Sequence, residues 1–134
     1  MMDDDFHAAI LAAEFPGLVN QERERRILTT TLLQAGDYGP IPVSGDPTTQ
    51  LNLLALKDTA RDLKAAGATG AVIPFRDAEN VSHLLTADQV IALVDAGKER
   101  VQAIYSASWA IKSMDPLPTD VAADELWPLP TGQA

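Results

Sequence analysis

Between Leu85 and Met114, small or apolar residues fall at Val90, Val94, Gly97, Val101, Ile104, Ser108 and Ile111, in alternating steps of four and three. Leu93 and Ala107 widen this row into a core-facing stripe of helical period. The stretch opens Thr86-Ala87-Asp88-Gln89. The Thr86 hydroxyl can accept from the Gln89 amide while the Gln89 side chain reaches back, and Asp88 places an anion at the positive end of the helix dipole. Pro116 bars continuation and disfavours helix at Asp115. The pattern predicts a helix at about 86–114, on the order of 40 Å long at ~1.5 Å per residue. No other segment offers so much apolar surface, so the core should form against it. A seam of about three heptads with Gly97 and Ser108 in it lacks the large side chains a zipper wants, which favours packing on the same domain over a subunit interface. Gly97 costs about 1 kcal/mol relative to Ala in a helix interior, so another backbone is expected to approach it closely.

The rest of the chain reads as shorter elements. Asp5 can cap a helix from Phe6 to Glu14, and Pro16-Gly17 should break it. Val19 to Leu28 then reads as a second helix, with Glu22 and Arg26 as an i,i+4 pair. Thr29 to Leu33 has strand character, Gly36 to Pro40 is a turn cluster, and Ile41-Pro42-Val43 returns as an edge strand. Asp46-Pro47 starts a helix that runs to about Ala66 and stops at Gly67, with Leu53, Leu56, Ala60 and Leu63 on its buried face. Ala71 to Phe75 and Val81 to Leu85 form a second hairpin that puts Val81, His83 and Leu85 on one side. After Pro116 the chain should be extended, with Trp127 anchoring it. The expected class is α+β, a small antiparallel sheet of two hairpins packed against three helices. The expected divisions are an N-terminal arm at 1–18, a domain at 19–115 and a Pro-rich tail at 116–134.

Composition narrows the chemistry. The 134 residues suggest one domain of a size that buries a core without staples. Cysteine is absent, which removes disulfides, thiolate metal sites and thiol catalysis. Nineteen acidic residues against ten basic ones, net −9, disfavour nucleic acid or an anionic membrane as partner. No apolar run approaches the ~20 residues that span a bilayer. The acidic start Met1-Met2-Asp3-Asp4-Asp5 is unlike a signal peptide, so synthesis in the cytoplasm is expected. The run Arg23-Glu24-Arg25-Arg26 reads as a solvated or inter-subunit salt-bridge face, because acids interleave it. His7 and His83, the two histidines, would have to converge with carboxylates to hold a metal, and no metal or other cofactor is expected. Asp77, Glu79 and His83 lie together on the second hairpin but in an acidic turn. Tyr105 and Trp109 could stack on a sugar, although an aromatic pair on a helix more often belongs to a core or interface. No phosphate-binding loop, dinucleotide fingerprint or triad spacing occurs, and no catalytic residue is assigned.

The order of motifs resembles an uncharacterised domain, of unknown function, from the tail fibre and tail-associated proteins of tailed bacteriophages. The matching pieces are Glu22-Arg23-Glu24-Arg25-Arg26-Ile27, Asp46 to Leu53, Ile73-Pro74-Phe75-Arg76-Asp77, Leu85 to Gln89, Tyr105 to Lys112, Asp115-Pro116-Leu117-Pro118 and Trp127-Pro128. Each is weak alone; their order and spacing carry the likeness. The resemblance implies a non-enzymatic virion component of the tail, baseplate or fibre region, made in the host cytoplasm and contacting other tail or fibre proteins or copies of itself. Members of that family often follow a long fibre, whereas about twenty residues precede the domain here. That favours an adaptor or attachment module; the alternative is a fibre assembly chaperone that does not stay in the virion. The expected partner-binding residues are Phe6, Ile10, Leu11 and Phe15 on the arm, with Arg23 and Arg26.

Overall fold

The computed structural model describes residues 2–130, with the side chains of Phe6 and of residues 8–130. It contains three α-helices, α1 (Met2–Leu28), α2 (Pro47–Ala65) and α3 (Ala87–Lys112), and four short strands. Strands β1 (Thr31–Gln34) and β2 (Pro40–Val43) make one antiparallel hairpin, with Leu33 opposite Ile41. Strands β3 (Ile73–Arg76) and β4 (Ser82–Leu85) make the other, with Phe75 opposite His83. The architecture is α+β, but the hairpins are two separate two-stranded sheets. A single backbone bond, from the Ala78 amide to the Pro42 carbonyl at 3.0 Å, links them.

The local starts of the helices form as their residues dictate. Thr86 Oγ1 accepts from the Gln89 amide at 3.1 Å, and Gln89 Oε1 accepts from the Thr86 amide at 2.9 Å, a closed capping box. Asp46 accepts from the Thr49 amide at 2.9 Å ahead of Pro47. Hydrogen bonds from Ser44 and Thr49 hold the Asp46 carboxyl down to about 2.

Helix α3 serves two cores. Its first half, with Val90, Leu93 and Val94 buried, closes on α2 through Leu53 and Ala60 and on the inner faces of both hairpins through Leu33, Ile41, Val43, Ile73, Phe75 and Leu85. Its second half buries Ile104 and Ile111 against Phe15, Val19 and Ile27 of α1 and against Trp127 of the C-terminal segment. Gly97 and Val101 lie at the changeover. A β-carbon on Gly97 would meet only the Leu33 Cδ1, at 3.4 Å, so the neighbour there is a side chain and not the backbone that the sequence suggests. The close backbone approach is instead at Gly45, where a β-carbon would collide with the Ile27 carbonyl oxygen. This packs the end of α1 onto the turn before α2.

The largest departure from the sequence pattern is at Pro16-Gly17. Helix α1 passes through both residues without a break, so the two helices expected at 6–14 and 19–28 are one. Proline removes one amide donor and crowds the carbonyl four residues back. Both Pro16 and Ala12 are exposed, and Phe15 and Val19, on either side of the pair, are both buried against α3. Tertiary burial of these two side chains overrides the local preference.

Two stability measurements follow from this arrangement. Leu93→Ala should lower unfolding free energy by about 2–5 kcal/mol in urea melts, because Leu93 is fully buried; a loss under about half a kilocalorie would contradict its burial. Gly17→Ala should raise stability by about 0.5–1 kcal/mol, since the position is helical and a β-carbon there meets nothing within 4 Å. A loss of stability on that substitution would mean that the helix breaks there after all.

Candidate functional site: the exposed arm and the arginine run

The six residues expected to bind a partner divide into two groups. Phe6, Ile10 and Leu11 are exposed, Phe6 to 67 %. Every described side chain from Phe6 to Glu14 is exposed, and none of them belongs to either core. From Phe6 to Glu14 the exposed stretch is on the order of 13 Å of helix at ~1.5 Å per residue. Leu18 and Trp109 are exposed apolar residues nearer the body of the domain. Phe15 differs. It is buried in the second core, where it roots the arm.

Arg23 and Arg26 face inward, whereas the sequence places the run in water or between subunits. Arg23 hydrogen-bonds Asn20 Oδ1 at 2.9 Å, pairs with Glu24 at 3.0 Å, and lies over the Tyr105 ring at 4.7 Å. It thereby covers one member of the Tyr105–Trp109 pair, whose rings sit 6.1 Å apart. Arg26 is buried to within 4 %. Its Nε donates to Glu22 at 2.9 Å, and its Nη2 donates to Asp124 Oδ1 and to the Ala122 carbonyl, both at 2.8 Å. Its guanidinium also lies 5.5 Å from the centre of the Trp127 ring. Trp127 in turn donates its indole N–H to the Val121 carbonyl at 2.7 Å. Arg26 thus pins the C-terminal segment to α1. Arg25, the more exposed neighbour, makes a forked pair with Glu22. The Arg25 bond leads in holding the Glu22 carboxyl below its ordinary value; burial opposes it, and Arg26 adds to it.

The second hairpin does bring Asp77 and His83 together, His83 Nε2 lying 2.6 Å from Asp77 Oδ2. Asp77 Oδ1 also accepts from the Glu79 and Val81 amides at 2.8 and 3.0 Å. Tyr38, from the other hairpin, reaches His83 Nδ1 at 2.7 Å. In the tautomer with its proton on Nε2, the ring donates to Asp77 and accepts from the Tyr38 hydroxyl. Burial opposes ionisation of Asp77, but the His83 bond and the two amides outweigh it and lower its pKa. Glu79 contributes its backbone only. None of the three side chains lines either of the two cavities near the arginines, and the chain of bonds ties the turn of the first hairpin to β4 of the second. Tyr38 had no sequence signal, standing 45 residues from its partner. The side chain of His7 lies outside those described; among the described residues no group of three or more His, Asp or Glu could hold a metal ion.

Residues 11–125 match a family described as a domain of unknown function, DUF4376. The chain belongs to this family. No curated protein and no solved structure matches it. The DUF4376 match starts at Leu11, inside the arm, and ends at Glu125, so it takes in Phe15, the arginine run and all of α3. Phe6 and Ile10 precede the DUF4376 match, and Trp127 follows it.

Arg26→Ala in this DUF4376 domain should cost about 3 kcal/mol, the low end for breaking a buried pair, because the Asp124 side of the pair is exposed. Urea melts measure it, and limited proteolysis should then cut residues 116–130 faster. Glu22 adds a pH dependence. Its folded pKa lies below the ordinary 4.5, so its stabilisation is complete above that pH and is lost as pH falls through the folded value. The Glu22→Gln variant should lack this part of the acid loss when urea midpoints are compared from pH 7 to pH 3.

Proposed function

We propose that this DUF4376 domain is a non-enzymatic bacteriophage virion component of the tail, baseplate or fibre region, an adaptor that attaches to a larger tail protein through the N-terminal half of α1. The observation that carries the attachment is the exposed stretch of α1 from Phe6 to Glu14, with the apolar Phe6, Ile10 and Leu11 open to solvent on it. A helix of about a dozen residues is marginal alone in water, and an apolar face on it is best satisfied by a partner. Rooting through Phe15 and Val19 presents that face in a set direction. The ordered motifs from Glu22 to Pro128 support the phage-tail setting, and the proposed partners are other tail or fibre proteins or further copies of the chain. A chain of net −9 whose Arg23 and Arg26 are occupied internally fits a protein partner better than nucleic acid.

The test replaces Phe6, Ile10 and Leu11 together with Ser, leaving Phe15 untouched because it belongs to the core. The variant should keep the wild-type thermal midpoint while disappearing from purified virions, in which mass spectrometry should find the wild-type protein in stoichiometric amount. Incorporation of the triple variant at the wild-type level would overturn the arm as the attachment device. Wild-type protein missing from virions, yet needed for fibres to form, would replace the adaptor by an assembly chaperone.

A further inference from the structure

At the changeover between the two cores α3 leaves space. A cavity of about 240 Å³ lies between the end of α1, β1, the β2–α2 turn, α2 and α3, and its deep wall is Leu33, Val43, Leu53, Val94, Val101 and Ile104. That exceeds the ~150 Å³ of an apolar cavity known to hold benzene. Three features of this cavity point to a ligand.

The first is Gly97, which lines it. Glycine in the middle of a helix is destabilising by about 1 kcal/mol relative to alanine. The nearest atom to a β-carbon there would be Leu33 Cδ1 at 3.4 Å, an ordinary contact, so packing does not demand glycine. What glycine preserves is the volume. The second is Arg100, which lines both this cavity and a second one of about 260 Å³ bounded by Arg25, Arg26 and Asp124. Arg100 pairs with no carboxylate among the described residues. Its hydrogen bonds are two long ones, to the Leu129 carbonyl at 3.3 Å and the Arg26 carbonyl at 3.5 Å. Burial first, and then the charge of Arg26, lower its pKa, the mark of a cation short of an anion. In a chain of net −9 such an arginine stands out. The third is the mouth, where Leu54, Lys98 and Gln102 are exposed and open the cavity to solvent.

We propose that this cavity binds a free medium-chain aliphatic carboxylate, with the chain lying against the apolar wall and the carboxylate on Arg100. A peptide fits less well. Each of its residues brings an amide and a carbonyl that need partners, and the wall is apolar. An alkyl chain with one charged end satisfies both parts of the site. The site lies on the domain body, apart from the exposed arm, and does not depend on the attachment role.

The test is isothermal titration of the full chain with sodium decanoate below its micelle concentration, with 1-decanol as the uncharged probe. Wild-type protein should bind one decanoate saturably. Arg100→Gln should weaken decanoate by about tenfold, the scale of losing one charge-assisted contact, and leave decanol unchanged. Gly97→Ala should raise the thermal midpoint and weaken both probes, and Gly97→Leu should abolish binding. If Gly97→Leu fails to fold, the alanine variant alone decides. Absence of saturable decanoate binding by wild-type protein would overturn the proposal. So would equal decanoate binding by the Arg100→Gln variant, or undiminished binding by Gly97→Ala.

Discussion

Burial of one helix stripe holds the whole domain together. Val90, Leu93, Ile104 and Ile111 are fully buried, and each is worth about 1.5–3 kcal/mol relative to exposure. Among the described elements, α3 alone contributes buried residues to both cores. The hairpins, with strands of four residues, could not stand alone in water. They persist because Leu33, Ile41, Phe75 and Leu85 fall on the first half of α3. The C-terminal segment, whose described residues form one 3-10 turn at Asp124–Leu126, persists because Trp127 falls on the second half.

The second core has a polar rim, and arginine suits it for a geometric reason. Arg26 must satisfy a carboxylate on its own helix, a carboxylate and a carbonyl on the C-terminal segment, and the face of an indole. A planar fork with several donors meets all four, whereas an ammonium is a point charge. The excess of acid in the chain makes such a buried cation easy to neutralise. It also makes Arg100, which pairs with no carboxylate among the described residues, conspicuous.

Continuity of α1 changes what an exposed arm can do. A flexible tether at Pro16-Gly17 would leave the arm to sample many directions and to lose that freedom on docking. Helix that runs unbroken from the core through Phe15 and Val19 has its nucleation and its direction supplied before any partner arrives. For the proposed attachment role, the domain and its arm would then move as one lever.

What the sequence by itself determined are the features set by neighbours in the chain. The Thr86–Gln89 capping box, the Asp46-Pro47 start, the helical stripe of α3 and the two hairpins all depend on contacts within a few residues, and all were legible. The α+β class follows from them. Tertiary structure decided the rest. Pro16-Gly17 reads as a break until Phe15 and Val19 are known to be buried on the same helix, and burial outweighs the preference. Arg26 reads as solvated until Asp124 and Trp127, about a hundred residues on, arrive beside it. Tyr38 joins His83 and Asp77 only because the turn of the first hairpin comes to rest beside β4 of the second. Gly97 looks like a backbone crossing in sequence, and only the position of Leu33 shows that it borders a cavity. In each case the deciding interaction is between residues far apart in sequence, and local pattern carries no information about which distant side chain will come to rest there.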